Sequence, residues 1–354
     1  MKHNKKMKIA AFFAGAGGLD LGFEQAGFDV TWANEFDKGI WATYIHNHPK
    51  TYLDQRSICD VKPEDIGAGI DGLIGGPPCQ SWSLGGAMRG LEDPRGQLFY
   101  EYIRLVAAIK PKFFLAENVS GIISQKFAGT FEKIKSHFAE IGYRVHAQLF
   151  NAVNYEVPQD RLRVIVIGIN KDCSSLPFDF PEIISAPEDE ELMLFSNGYK
   201  PIKTLRDAIG DLPPSVPAKT QNHKNMGLSI PNHEHMIGGF SPIYMSRNRR
   251  RDWDEPSFTI QAGGRQAPLH PSCPPMEKVN ENAWKFTAPF DQYRRLSVRE
   301  CARVQTFPDD FEFIYKSVPY GYKMIGNAVP VRFAYHLGMA VRNYFAKVNS
   351  SAQK

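Results

Sequence analysis

The first half of the chain alternates short apolar runs with segments of helical periodicity. Ile9-Ala10-Ala11-Phe12-Phe13 contains no polar position, as in a strand covered on both faces, and sets the first strand at 8–13. Leu19, Leu21, Phe23 and Ala26 then keep a helical spacing that Gly27 stops. A second strand follows at 29–33, and a helix at 38–47 with Asp37 as its N-cap. A third short strand ends in Ser57-Ile58-Cys59-Asp60-Val61, and a fourth is the run before Gly75. Helices at 98–110 and 127–141 then alternate with strands at 113–116, 143–150 and 164–169. This alternation predicts an α/β fold with a doubly wound, mostly parallel sheet.

In an open sheet of that kind, ligands sit beyond the C-terminal ends of the strands. The loops at those ends carry unusual residues. After the first strand comes Ala14-Gly15-Ala16-Gly17-Gly18, where backbone N–H groups can approach an anion with no Cβ in the way. At the second strand's tip stands Glu35, where a nucleotide ribose is held through its hydroxyls, and Asp60 is suited to an adenine amino group. The fourth strand runs into Gly75-Gly76-Pro77-Pro78-Cys79-Gln80, a rigid loop presenting a cysteine as a candidate nucleophile. Glu117 ends the strand after it, on the same edge as Cys79. Arg161 and Arg163 alternate in an extended segment and so share one face. Residues 84–97, rich in Gly, Arg and Asp, read as a mobile loop over the site.

From about residue 172 to 289 the pattern changes to Pro, Gly, Asn and His with little periodicity, which predicts a second, loop-rich domain. It holds Arg247-Asn248-Arg249-Arg250-Arg251 beside Trp253, and later Gly263-Gly264-Arg265-Gln266. Arginine pairs bidentately with guanine, so this clustering suits nucleic acid. His233 and His235 lack further ligands nearby and read as loop histidines rather than a metal site. Ser297 and Glu300 form a capping box at the start of a helix, and Met324-Ile325-Gly326-Asn327-Ala328-Val329-Pro330-Val331 reads as the start of a last helix expected to return to the first domain and close a cofactor site.

Composition narrows the reading only slightly. The chain has 354 residues and a net charge of +4, so a basic surface must come from local clustering. Five cysteines, none in a C-x-x-C pair, argue against a zinc site or disulfide scaffold and point to a reducing cytoplasm. The basic head before Ile9 leads into a run too short for a signal peptide, and no segment approaches a membrane span.

In this order, the motifs resemble those of the cytosine-C5 DNA methyltransferases. Phe13-Ala14-Gly15-Ala16-Gly17-Gly18 looks like that family's S-adenosylmethionine loop, with Ala14 where relatives often carry serine. Pro77-Pro78-Cys79-Gln80 looks like its nucleophile motif and Glu117-Asn118-Val119 like its acid motif. Gln159-x-Arg161-x-Arg163 and Gly326-Asn327-Ala328-Val329-Pro330 match two more. The resemblance implies a Rossmann-like class I methyltransferase domain at 1–175, completed by 322–354, with target recognition at 176–321. It implies S-adenosylmethionine as cofactor, no metal, and contacts from Phe13, Gly15, Gly17, Gly18, Leu19, Glu35, Asp60, Pro77, Asn327 and Ala328. Cys79 would attack C6 of a flipped cytosine, Glu117 would serve N3, and Arg161 and Arg163 would hold O2 and a nearby phosphate. Residues 244–249 and 261–266 look like the recognition region of bacterial GGCC-modifying enzymes, which implies that Arg247, Asn248, Arg249 and Arg265 contact duplex DNA. The expected assembly is a monomer, paired in function with a cognate endonuclease but in no stable complex with it. Three rivals remain: a tRNA cytosine-C5 methyltransferase, a nicotinamide oxidoreductase, and a DNA-binding regulator without catalysis. The glycine loop lacks G-x-G-x-x-G spacing, and the Cys79, Glu117, Arg161 and Arg163 set is complete, which weighs against the last two.

Overall fold

The computed structural model describes residues 6–78, 94–187 and 198–351. Its centre is a seven-stranded sheet built from β1 (Lys8–Phe12), β2 (Asp29–Asn34), β3 (Tyr52–Asp54), β4 (Gly72–Gly75), β5 (Phe113–Val119), β6 (Tyr143–Asn151) and β8 (Leu162–Asn170); the two-residue β7 (Gln159–Asp160) lies outside it. The order is β3-β2-β1-β4-β5-β8-β6. Pairing is parallel from β3 through β5, whereas β8 runs antiparallel to both β5 and β6. The chain therefore winds outward from β1 to one edge and from β4 to the other. The crevice left between β1 and β4, where the order reverses, is the ligand position of such sheets.

Period-2 alternation divides the side chains between two cores. Ile165, Ile167 and Ile169 enter one with Phe23, Phe28 and Leu337, while Val164 and Val166 enter the other with Phe99, Tyr102 and Phe138. Helices α1 (Gly18–Gln25), α2 (Trp41–Asn47), α3 (Pro94–Ile109) and α4 (Ala128–Glu140) cover the faces. Among the described residues no helix is long and apolar enough to cross a membrane.

Several elements depart from expectation. The third strand is Tyr52–Asp54, and Ile58–Asp60 is a single 3₁₀ turn capped by the Ser57 side chain. Asp37 caps a turn before α2, accepting from the Gly39 N–H at 2.9 Å, and α2 itself starts at Trp41. The expected boundary at 321/322 falls inside a helix, because a third core joins Ala16 and Ile40 to α5 (Leu205–Ile209), α6 (Val298–Val304) and α7 (Val318–Asn327). Ser297 and Glu300 make the capping box at the head of α6. Gly326 and Asn327 end α7, and the last helix, α8 (Val331–Ser351), starts only after Pro330, which restricts the residue before it. Phe333 and Leu337 of α8 pack with Phe23 of α1. A fourth, smaller cluster of Tyr244, Leu269, Met276 and Tyr293 supports the arginine-bearing loops.

Candidate active site at the sheet edge

The loop after β1 is held in a left-handed backbone: φ is +53° at Phe13, +57° at Gly15 and +86° at Gly17. Glycine is required at 17 for space as well, since a Cβ there would lie 2.1 Å from His48 Nε2. At Gly18 a Cβ would lie 2.5 Å from the Val329 carbonyl oxygen. Glu35, at the tip of β2, fastens the loop by accepting from the Gly15 N–H at 2.9 Å through one oxygen and from the Asp37 N–H at 2.7 Å through the other. Burial raises the Glu35 pKa, and those two N–H groups pull it partly back.

These residues border a cavity of about 420 Å³. Phe13, Gly15, Leu19, Glu35 and Pro77 line it from the sheet, and Asn327 and Ala328 from the end of α7. Gly17 and Gly18 shape the loop without lining it, and Asp60 is exposed on its turn, away from the wall. Lys323 reaches across from α7 to Asp37 at 2.6 Å.

At the other end of the cavity β4 delivers Gly76-Pro77-Pro78. Cys79, which follows, lies outside the described residues, as does most of the expected loop at 84–97; α3 already begins at Pro94. Glu117 stands over Gly76, its Oε2 3.3 Å from where a Cβ would be. Asn118 donates to the Pro77 carbonyl at 3.0 Å, which ties the acid-bearing strand to the proline loop. Register sets Arg163 opposite Val119, and its Nε meets Glu117 Oε1 at 2.7 Å. An acid and a cation are thus paired at the cavity, beside the strand residue Asn118 that is bonded to Pro77.

Arg161 does not join them at the opening. It is 1 % exposed and its guanidinium donates to the carbonyls of Ile260, Gly326 and Ala328 at 3.0–3.1 Å. Sequence spacing puts both arginines on one face, but the neighbouring segments of α7 and of the second domain close over the first of them. Gln159 and Gln305 complete this seam. Gln159 donates to Gln305 at 2.8 Å and accepts from the Ile260 N–H, and Gln305 donates to the Ile325 carbonyl at 2.7 Å. At Gly326 the backbones touch, for a Cβ there would lie 2.2 Å from the Gln261 carbonyl carbon. Gln305 was not singled out by sequence, because its partners lie far along the chain.

The arginine run also divides. Arg249 is 5 % exposed and donates to the carbonyls of Tyr244 and Ile243 and to Gln266 Oε1 at 2.6 Å, with its guanidinium 4.7 Å from the Tyr244 ring centre. Its Nε and Nη2 hold the loop, so in this conformation it is a brace, while it also lines the second cavity described below. Arg250 donates to the Cys273 carbonyl, and Arg251 pairs with Glu255. Arg247 and Arg265 are exposed and form no ion pair among the described residues, and Asn248 uses its side-chain oxygen on the Arg250 N–H. A second cavity of about 400 Å³, lined by Arg163 as well as Arg247 and Asn248, adjoins the first through the shared arginine. His233 is hydrogen-bonded to Ser297 and the Pro213 carbonyl.

Comparison with known proteins agrees with this layout. A family described as C-5 cytosine-specific DNA methylase matches residues 7–343. The chain is 50 % identical over 338 residues to the Type II methyltransferase M.NgoPII of Neisseria gonorrhoeae, covering 95 % of both. It is 49 % identical over 339 residues to M.FnuDI of Fusobacterium nucleatum, covering 95 % of this chain and 94 % of that one. Among solved structures it resembles a DNA modification methyltransferase encoded within an E. coli prophage, with TM-score 0.71 and 25 % identity over 96 % of this chain and 100 % of that one. The Dnmt2 methyltransferase of S. pombe shares the fold at TM-score 0.62 and 15 % identity, over 96 % and 99 %.

Proposed function

The chain belongs to the C-5 cytosine-specific DNA methylases, and from that premise we propose that it methylates C5 of a flipped cytosine in a short duplex site, GGCC, as the modification half of a restriction-modification system. It is a DNA cytosine-5-methyltransferase. The observation that carries the mechanism is the Glu117–Arg163 pair at the end of a cavity that begins in a glycine loop.

The residues present fit S-adenosylmethionine. The loop at Gly15 exposes backbone without side chains, and the half-buried Glu35 carboxylate at the tip of β2 suits ribose hydroxyls. When bound, the cofactor supplies an electrophilic methyl on a sulfonium. Leu19 and Pro77 exclude water around it, and Asn327 and Ala328 close the far wall.

Cytosine C5 is a poor nucleophile, so the ring must first be activated. The Cys79 thiolate forms a bond to C6, and the C5–C6 π electrons move into the ring and make C5 enamine-like. C5 is then able to take the methyl group that the cofactor, when bound, would supply, the C–S bonding pair staying on its sulfur. Glu117 holds a proton at N3 while negative charge builds there, and Arg163 keeps Glu117 aimed and reaches O2. Removal of the C5 proton by a base, with water as the simplest candidate, returns an electron pair to the ring and expels Cys79. Arg161 supports this from the cavity wall by holding the Ile260, Gly326 and Ala328 carbonyls.

Arg247, on the wall of the second cavity, and the exposed Arg265, next in sequence to Gln266 of that wall, read guanines or contact phosphate, and Asn248 assists at the cavity wall. The likeness of residues 244–249 and 261–266 to GGCC-modifying enzymes supports the choice of site. One active site with one reading lobe suffices, so the working unit is a monomer in the cytoplasm. Incubation with tritiated S-adenosylmethionine and unmethylated plasmid, followed by an endonuclease blocked by GGCC methylation, tests the proposal. Label with protection supports reaction and site together. Label without protection removes GGCC, and label in tRNA but not in DNA overturns the DNA assignment.

A further inference from the structure

Asp160 is the single acid among the described residues that line the second cavity, in a wall otherwise made of cations and neutral groups. Its direction is set by the chain on both sides. Gln159 and Arg161 are buried in the seam, so alternation along the extended segment turns Asp160 and Leu162 outward, and both are exposed. The backbone is fixed there as well. Gln159 and Asp160 pair in parallel with Ser257 and Phe258, and the Thr259 hydroxyl donates to the Asp160 carbonyl at 2.6 Å. The catalytic lobe thus presents a carboxylate to the cleft where Arg163, Arg247 and Asn248 stand.

The protein's own donors leave acceptor capacity on this side chain. Asn151 Nδ2 donates to one oxygen at 2.7 Å. The other oxygen has Arg251 Nη2 at 3.8 Å, beyond hydrogen-bond length. Arg251 is itself held elsewhere, by Glu255 at 2.9 Å and against the Phe258 ring, whose centre is 4.3 Å away. The Asp160 side chain is 48 % exposed, so a ligand can reach it. A carboxylate there repels phosphate and the acceptor atoms of base edges, and what it can take is a hydrogen-bond donor. In a site built of G·C pairs the exposed donors are the exocyclic amines, cytosine N4 in the major groove and guanine N2 in the minor.

Resting on the DNA reading above, we infer that Asp160 accepts a hydrogen bond from the exocyclic amine of a base beside the flipped cytosine, a specificity contact made by the catalytic lobe rather than by the arginine-bearing loops. Arg163 lines both cavities and pairs with Glu117 in the first, so the second cavity adjoins the place of the flipped base. Asp160 precedes Arg163 on the same extended segment, which puts the base it meets near the target rather than at the end of the site. The carboxylate also penalises any base that turns an acceptor toward it, so the contact selects by repulsion as well as attraction.

A double-mutant cycle between protein and DNA tests this. Affinity is measured for the wild type and Asp160→Ala, with S-adenosylhomocysteine present so that no methyl is transferred. The DNA is a GGCC duplex, intact or lacking one amine at a time: inosine replaces each guanine, or 2-pyrimidinone each non-target cytosine. At one position the wild type should lose about tenfold or more on removal of the amine, whereas the variant, already weaker on the intact duplex, loses little further. The base at which that coupling appears identifies the donor as cytosine N4 or guanine N2. Equal losses by both proteins at every position overturn the assignment. So does a variant that binds every duplex more tightly, as for an acid that only repels phosphate, or one that melts earlier with unaltered discrimination. These failures leave the DNA reading intact, but failure of the wild type to bind the intact duplex removes both. Should Asp160→Ala not fold, Asp160→Ser, too short to reach a base, takes its place in the cycle under the same criteria.

Discussion

Arg163 and Arg249 stand at the same second cavity, yet one is available for chemistry and the other is a brace. Arg163 belongs to β8, where backbone register puts it opposite Val119 and beside Glu117. Arg249 belongs to a segment with almost no regular structure, and its guanidinium supplies what a sheet would have supplied, namely donors for stray carbonyls. In the sheet, position along the strand determines what a charged side chain can reach. In the loops, part of the charge is consumed in holding the loops together.

The contrast can be broken most severely at the nucleophile. Cys79→Ser should abolish methyl transfer in a single-turnover assay while keeping specific DNA binding; full activity would sink the covalent mechanism. Next come the two arginines of one motif, which should fail in opposite ways. Arg163→Ala should lower turnover by about 10²–10³-fold with little change in urea midpoint, as for loss of one electrostatic stabiliser. Arg161→Met should instead lower stability by about 3–5 kcal/mol in urea unfolding, because three buried carbonyls lose their donor.

Smaller effects sharpen the loop side. Arg247→Ala and Arg265→Ala should each weaken DNA binding and, if they touch phosphate, reduce the salt slope by about one, with no change in melting temperature. Arg249→Ala should lower the melting temperature first. The smallest expected effect is an acid sensitivity at Glu156. Burial would raise its pKa, but hydrogen bonds from Lys200, Arg332 and His336 overcome that and hold it at about 2. Its contribution to stability is complete above the ordinary carboxylate range and is lost as pH falls toward 2. Glu156→Gln should flatten the acid limb of a melting-temperature profile over that window.

What could be read beforehand follows the same division. The glycine loop, Glu35 and the acid at the end of β5 are local signals of strand, turn and helix, and they lie where the pattern puts them. The reversed direction of β8 was missed, although the link at 152–161 is too short for a crossover helix and is itself the sign of an antiparallel pair. The third strand was placed late because the apolar residues of a turn read much like those of a short strand. Burial of Arg161 depends on Ile260, Gly326 and Ala328, between 99 and 167 residues away, and no window of sequence contains them.

The seam between Arg161 and the second domain has one more consequence. On the far side, what it grips is main chain: the Ile260 carbonyl and N–H, and the backbone at Gln261. No side chain of the arginine-bearing loops takes part in those bonds. That part of the mounting is indifferent to spelling, so exposed positions such as Arg247 and Arg265 can be rewritten toward a new target while the catalytic edge keeps its alignment, like a reading head exchanged on a fixed bracket.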